Sequence, residues 1–154
     1  KLSGTFKAGY TQTDVDEFED SGGFALDTDL TYRFSSFNKF NVRVFRSIVS
    51  STRTARESGV YYVSTGGSLT ATCEKWEPLR ITATFSYTNN SFKGSDSVGG
   101  DREDDYFSAG LQTRYPIRDR LSLLLRYQYR SNDSDFKADE YDENLAEIRL
   151  VLTI

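Results

Sequence analysis

Apolar and polar side chains alternate with a period of two residues in eight segments of this chain. In the first segment Leu2, Phe6 and Tyr10 share one parity, while Ser3 and Lys7 share the other. A period of two is typical of β-strands that have one apolar and one polar face. Because the alternation continues to the last residues, it predicts an all-β chain.

The connections between these segments fall into two length classes. The predicted strands cover approximately residues 2–13, 24–34, 40–51, 61–76, 79–89, 106–117, 121–130 and 145–154. Short turns follow the second, fourth and sixth strands, and the long polar loops are residues 14–23, 52–60, 90–105 and 131–144. Outer-membrane barrels have short periplasmic turns and long extracellular loops. The pattern therefore predicts an eight-stranded antiparallel up-and-down transmembrane β-barrel with periplasmic termini.

One pair of residues breaks the alternation. Phe45 and Arg46 exchange the parities expected of an apolar and a charged side chain in the third strand. This predicts either a β-bulge or a position at the membrane interface.

Composition agrees with a membrane barrel. Only 37% of the residues are hydrophobic, but 14% are aromatic, as expected where one residue in two faces lipid. The net charge of -4 argues against nucleic-acid binding. No apolar run is long enough for a transmembrane helix, and no signal peptide is visible. Residues 1–154 are predicted to form one outer-membrane barrel domain, or else the C-terminal part of a longer barrel protein.

Side chains for catalysis are scarce. The chain has no histidine, the commonest general base and metal ligand, and Tyr62, Ser64 and Ser68 have no base as a partner. The single cysteine, Cys73, falls on the apolar parity and is interpreted as a small hydrophobic residue. We expect neither enzymatic activity nor a cofactor.

A soluble barrel of the lipocalin type would show the same alternation with its apolar face turned inward. Two observations favour the membrane barrel. The polar parity carries charges of both signs, which can neutralise one another in a narrow lumen. Aromatic residues also lie near the strand ends, where membrane girdles occur.

Charged residues on the polar parity are the first candidate site. An eight-stranded barrel that closes alone is filled by its side chains, whereas a larger or multi-chain barrel would leave a channel that prefers anions. The predicted lumen charge network comprises Lys7, Asp27, Asp29, Arg33, Arg43, Glu74, Arg80, Arg114, Arg126, Arg130, Glu147 and Arg149.

Acidic residues in the long loops are the second candidate site. Three of these loops, residues 14–23, 90–105 and 131–144, hold 16 of the 23 acidic residues, although none of them has the spacing of an EF-hand. The cluster is interpreted either as a solvated surface that faces lipopolysaccharide or as a site for a cation of unknown identity. The candidate cation-binding residues are Asp101, Glu103, Asp104, Asp105, Asp139, Glu140 and Asp142.

The last third of the chain resembles the β-barrel porin families of Gram-negative bacteria, some of which are associated with exopolysaccharide export. The resemblance lies in the segments REDDY (102–106), GLQTRY (110–115), LLLRYQYRSNDS (123–134) and EYDEN (140–144), followed by a terminal strand. Many outer-membrane barrels end on an aromatic residue, whereas this chain ends on Ile154. The resemblance implies a barrel of the bacterial outer membrane, often with more strands than eight.

Three functions remain open at this point. The first is a porin-like or structural barrel with a charged lumen and acidic extracellular loops. The second is a barrel scaffold whose loops bind a surface partner, a cation or an exported polysaccharide. The third is a soluble ligand-binding barrel. The expected partners are outer-membrane lipid and lipopolysaccharide, the barrel-insertion machinery and, as a further candidate, another protein subunit or an exported polymer.

Overall fold

The computed structural model describes residues 1–13, 21–50, 61–93 and 102–153. No helix within these ranges is long and apolar enough to cross a membrane. The described secondary structure consists of the strands β1 (Leu2–Thr13), β2 (Ser21–Arg33), β3 (Asn38–Ser50), β4 (Tyr61–Cys73), β5 (Arg80–Lys93), β6 (Arg102–Arg118), β7 (Leu121–Ser134) and β8 (Tyr141–Leu152).

The eight strands form a single antiparallel sheet in the order β1-β2-β3-β4-β5-β6-β7-β8. Each strand pairs with its neighbours in the chain, which confirms the predicted up-and-down topology. Within the described residues no ladder joins β1 to β8, so these two strands are the edges of the sheet. Nearly all their side chains are consequently exposed on both faces.

Strand register sorts the side chains onto two faces. Lys7 lies opposite Asp27, and Asp29 lies opposite Arg43. Cross-strand partners point to the same side of a sheet, so these charged residues share one face, which we call the polar face. All twelve residues of the predicted lumen charge network lie on it. The opposite side, which carries Leu111 and its neighbours of the same parity, is the apolar face.

Burial indicates that the sheet curves around its polar face. The large hydrophobic residues that remain exposed lie mostly on the apolar face or in the turns. This curvature turns the apolar face outward, which is the opposite of the arrangement that a soluble barrel requires. The residues that are buried all lie on the polar face: Ser64, Thr72, Phe92, Arg102, Asp104, Ser122 and Asn132.

A mostly apolar band crosses the apolar face. In β5 to β8 it covers residues 81–87, 107–115, 121–129 and 146–152. A tilted strand needs about 9–11 residues to cross the hydrocarbon core of a bilayer, and the longer of these segments approach that length. Polar residues bound the band at the end of the sheet away from the chain termini: Asn89, Asp105, Ser131 and Asp142.

The strands extend beyond their predicted ends. β5 to β8 continue into residues predicted as loops, so the last connection is residues 135–140 instead of 131–144. This connection has the same length as the β4–β5 connection, residues 74–79. The predicted difference between a long loop after β7 and a short turn after β4 is therefore wrong. Beyond the apolar band both faces are polar, and the alternation that marks a strand disappears. The other long loops lie mainly outside the described residues.

The inverted pair in β3 does not form a bulge, so the first of the two predicted alternatives is wrong. The β3–β4 register runs through Phe45 and Arg46 without a shift, so Phe45 lies on the polar face. The ring has room because Gly66 lies opposite, where a Cβ atom would come within 2.9 Å of the ring. The Arg43 guanidinium lies 5.4 Å from the ring centroid. A register shift occurs instead at residues 116–118.

The outward orientation of the apolar face predicts an asymmetry between neighbouring residues. Arginine at Leu111, in the middle of the band, should lower the free energy of unfolding by about 2–4 kcal/mol in lipid vesicles, because its charge meets hydrocarbon. The matched variant Gln112→Arg places the same side chain on the polar face and should cost less than about 1 kcal/mol. Urea titrations of both variants measure the difference, and equal losses would contradict the facing assignment.

Candidate functional site

Basic residues gather on the polar face near the end of the sheet where the chain termini lie. Arg33 ends β2, Lys39 is the second residue of β3, and Arg80 begins β5 beside Glu74 in the β4–β5 turn. Arg80 donates a hydrogen bond to the Glu74 carboxylate. These four residues line a polar cavity of about 200 Å³, so this rim of the sheet carries three cations and one anion.

Ion pairs on the first strands are local and exposed. Arg43 Nε donates to Asp27 Oδ1 at 3.1 Å, and the two side chains remain 52% and 41% exposed. Asp29 accepts a hydrogen bond of 2.7 Å from the Asn41 amide. Exposed pairs of this kind contribute little to stability, about 0–1 kcal/mol. Arg43 and Asp27 therefore offset one another, whereas Arg33 and Lys39 leave the rim of β2 and β3 positively charged.

Two arginines on β6 and β7 form no ion pair of their own. Glu147 lies opposite Arg126 in the β7–β8 register, but it binds Arg149. Arg114 Nη2 donates to the Ser122 hydroxyl at 3.3 Å, and Arg126 Nη2 donates to Gln128 Oε1 at 2.6 Å. Arg130 donates to the same Gln128 oxygen at 3.1 Å. Within the described residues no carboxylate lies within 4.0 Å of the Arg114 or Arg126 guanidinium. A positive charge therefore persists on this part of the polar face.

The neighbouring arginines are partly neutralised. Arg149 donates to the Glu147 carboxylate within β8. Arg130 Nη1 lies 3.7 Å from Glu143 Oε2, an exposed and loose pair. The charges of the predicted network thus form local pairs instead of one continuous chain of salt bridges.

A buried cluster at the other end of the polar face was not predicted from the sequence. Arg102 is 2% exposed, and its guanidinium binds Asp104 Oδ2 and Asp139 Oδ2, each at 2.5 Å. The same guanidinium lies 4.9 Å from the ring centroid of Phe92 and 5.5 Å from that of Phe136. Two carboxylates and two aromatic rings therefore surround one buried cation.

Further hydrogen bonds attach the β7–β8 turn to this cluster. The Asn132 amide donates to the Asp139 carbonyl at 2.5 Å, and the Ser134 hydroxyl donates to Asp104. The Asp135 carboxylate accepts the backbone N–H of Glu103 at 2.9 Å. The turn consequently folds over the polar face at this end. In the sequence, the one signal of the cluster is that Arg102 and Asp104 fall on the polar parity. This signal is lost because the alternation predicts residues 90–105 as a loop.

The candidate cation-binding residues are spread over both faces. Asp101 lies outside the described residues. Glu103 and Asp105 lie on β6 and face outward, whereas Asp104 faces inward, because alternate residues of a strand point to opposite sides. The described ranges contain no group of three or more acidic, cysteine or histidine residues that could hold a metal ion. The remaining candidates, Asp139 and Glu140 in the last turn and Asp142 on β8, therefore join no such group.

Tyrosine hydroxyls mark the outer boundary of the apolar band. Tyr87 donates to Asp105 Oδ1 at 2.7 Å, and Tyr129 donates to Asp142 Oδ1 at 2.8 Å. Both carboxylates lie beyond the band. The hydrogen bond from the tyrosine, assisted by Asn89 for Asp105 and by Ser131 for Asp142, lowers the pKa of each carboxyl group below its usual value. Rings in lipid with hydroxyls in the polar layer are typical of a membrane girdle.

An up-and-down antiparallel sheet with an outward apolar band, a tyrosine boundary and a charged inner face defines the wall of a transmembrane β-barrel. The family model described as "Putative beta-barrel porin 2" matches residues 1–153, and the chain belongs to that family. It is a porin-like β-barrel membrane protein, and the family indicates an outer-membrane location and a non-enzymatic role. No curated protein and no solved structure matches the chain at a significant level.

The difference in burial between Arg102 and Arg149 predicts that their loss lowers the free energy of unfolding by different amounts. Arg102→Ala leaves Asp104 buried without its cation and should cost about 3–5 kcal/mol in unfolding free energy. Arg149→Ala removes an exposed cation from the partly buried Glu147 carboxylate and should cost at most about 1 kcal/mol. Urea unfolding in detergent micelles compares the two variants. A loss for Arg102→Ala no larger than that for Arg149→Ala would show that the cluster does not stabilise the sheet.

Proposed function

We propose that this chain forms part of the wall of a water-filled pore that favours small anions. The observation that carries the proposal is the positive charge of Arg114 and Arg126 on the inward face, where neither forms an ion pair with a described carboxylate. A charge on the wall of a narrow pore attracts ions of opposite sign and repels ions of the same sign. Membership of a porin-like family supports the pore itself.

The width of the pore depends on what the edge strands pair with. Unpaired backbone groups are costly in hydrocarbon, so β1 and β8 must find partners in the membrane. If they paired with each other, eight strands would leave an interior that side chains fill. The open sheet and its accessible polar face support a larger barrel. We infer that further strands, from the same protein or from another subunit, complete the wall.

The proposed orientation places the 135–140 turn and the long loops outside the cell and the termini in the periplasm. The tyrosine boundary and the polar residues beyond it lie at the loop end, where a strand would extend into the lipopolysaccharide layer. The short turns at residues 34–37, 74–79 and 119–120 would then face the periplasm. The acidic loops would contact the lipopolysaccharide and its bound cations.

Selective labelling tests this orientation. In a Cys73→Ser background, Lys137→Cys in the β7–β8 turn should react with a membrane-impermeant maleimide on intact cells. Asp119→Cys in the β6–β7 turn should react only after the outer membrane is permeabilised. Both native side chains are exposed, so access to the reagent is not limited by packing. The reverse pattern of labelling would invert the proposed orientation.

Reversal potentials in planar bilayers test the selectivity. With a KCl gradient across the membrane, the native protein should favour chloride over potassium. The double variant Arg114→Gln/Arg126→Gln should lower this preference by roughly twofold or more, because it removes two wall charges. The double lysine variant at the same positions keeps both positive charges and should retain the preference for chloride. An unchanged preference in the glutamine variant would refute the assignment of the selectivity to these arginines.

A second candidate function is a scaffold that binds a surface partner, a cation or an exported polysaccharide through its loops. The observation that favours it is a polar cavity of about 400 Å³ beside the β7–β8 turn, lined in part by Asp133, Lys137, Glu140 and Asp142. The bilayer experiment separates the two candidates. Folded protein without conductance would favour the scaffold, since a scaffold needs no open lumen.

A further inference from the structure

A cavity of about 240 Å³ opens on the polar face at Gly110. Gly110 lies in β6 between Thr84 of β5 and Gln128 of β7. A Cβ atom at Gly110 would meet its nearest neighbour, the Tyr127 carbonyl oxygen, at an ordinary contact distance of 3.7 Å. This glycine therefore relieves no steric conflict. Its missing side chain leaves space on the wall of the proposed pore.

The position differs from Gly66, the other glycine at the middle of the polar face. A Cβ atom at Gly66 would lie 2.5 Å from the Tyr87 carbonyl oxygen and 2.9 Å from the Phe45 ring. Close packing thus explains Gly66, whereas nothing packs into the space above Gly110.

Hydroxyl groups form one side of the cavity at Gly110. Thr82, Thr84 and Ser108 contribute to its wall. The Thr84 hydroxyl lies 3.4 Å from that of Thr70, and the Ser108 hydroxyl lies 2.9 Å from that of Ser86. These contacts with neighbouring strands hold the hydroxyls in place, and each hydroxyl keeps capacity for a further hydrogen bond to a solute.

Two amides and a guanidinium form the other side. Gln112, Arg126 and Gln128 line it. The Gln128 side-chain oxygen accepts a hydrogen bond of 2.6 Å from Arg126 Nη2 and so positions the guanidinium. No carboxylate of the described residues pairs with Arg126. A guanidinium carries five N–H donors, which leaves several for an incoming anion.

We infer that this cavity is a binding subsite for a small hydroxylated carboxylate, such as a sugar acid. The guanidinium of Arg126 binds the carboxylate, and the hydroxyls and amides bind the hydroxyl groups of the solute. The volume falls below the approximately 300–1,000 Å³ of sites for drug-sized ligands, so the subsite takes one small solute. The inference rests on the proposed pore, which supplies the route by which the solute reaches this face.

Titration calorimetry on the folded protein in detergent micelles tests the subsite without requiring conductance. Glucuronate is the probe, because it carries both a carboxylate and hydroxyl groups. Glucose lacks the carboxylate, and acetate lacks the hydroxyl groups. Glucuronate should bind, and the other two should bind at least about tenfold more weakly. Gly110→Leu, which fills the cavity, and Arg126→Gln, which removes the cation, should each weaken glucuronate binding by about tenfold or more.

Arg33→Gln is the matched control, since Arg33 lies on the same face but lines a different cavity at the rim of the sheet. It should leave glucuronate affinity within about twofold. Gly110→Ala and Arg126→Lys are smaller changes for use if the first variants do not fold, as judged by heat-modifiable migration on gels. Each should weaken binding less than its larger counterpart but more than Arg33→Gln.

Three results would overturn the subsite. They are absence of glucuronate binding to the native protein, equal binding of glucose or acetate, and unchanged binding in folded variants of Gly110 and Arg126. If the native protein conducts with a preference for anions but does not bind glucuronate, the subsite fails and the proposed pore stands. If it binds glucuronate in the predicted pattern but does not conduct, the pore fails and the subsite stands.

Discussion

The antiparallel hydrogen-bonded ladder between neighbouring strands is the interaction on which the rest of this structure depends. In lipid no water is present to satisfy backbone N–H and C=O groups, so each strand must pair along its membrane-spanning length. The ladder also sets the register, and the register decides which side chains share a face. The separation of charged from apolar residues is therefore a consequence of backbone pairing.

The curvature of the sheet determines which of the two faces contacts lipid. Because the sheet curls around its polar face, the apolar side chains contact lipid and the charged side chains face inward. The inner charges are arranged unevenly. Asp27 and Arg43 on β2 and β3 form an exposed pair, whereas Arg114 and Arg126 on β6 and β7 have no carboxylate partner among the described residues. The electrostatic character of the wall thus comes mainly from one part of the sheet.

The Arg102 cluster shows a different use of charge. Its guanidinium is removed from water and is held by two carboxylates and two rings, so its role in the structure is to attach the last turn to β6. Exposed arginines on the same face remain available to solutes. Burial therefore separates structural from candidate functional arginines, although the residue type and the strand parity are the same.

The sequence alone determined the number of strands, their antiparallel order and the parity of the charged and apolar residues between the turns. This was possible because a period of two is a local property of a strand with one wet face. The same signal disappears where both faces are polar, which is why the extensions of β5 to β8 and the short last turn were not predicted.

Only the tertiary structure decided the pairing of individual charges and the cavity at Gly110. The outward direction of the apolar face was predicted from the mixed charges and the aromatic strand ends, since the alternation itself does not supply it. Alternation is identical for a barrel with its apolar face inward or outward, so the two cannot be separated by parity. The partners of Arg102 are distant in sequence, and Phe45 was accommodated by Gly66 on the next strand. These outcomes depend on which side chains meet across strands, and that information arises only when the register is established.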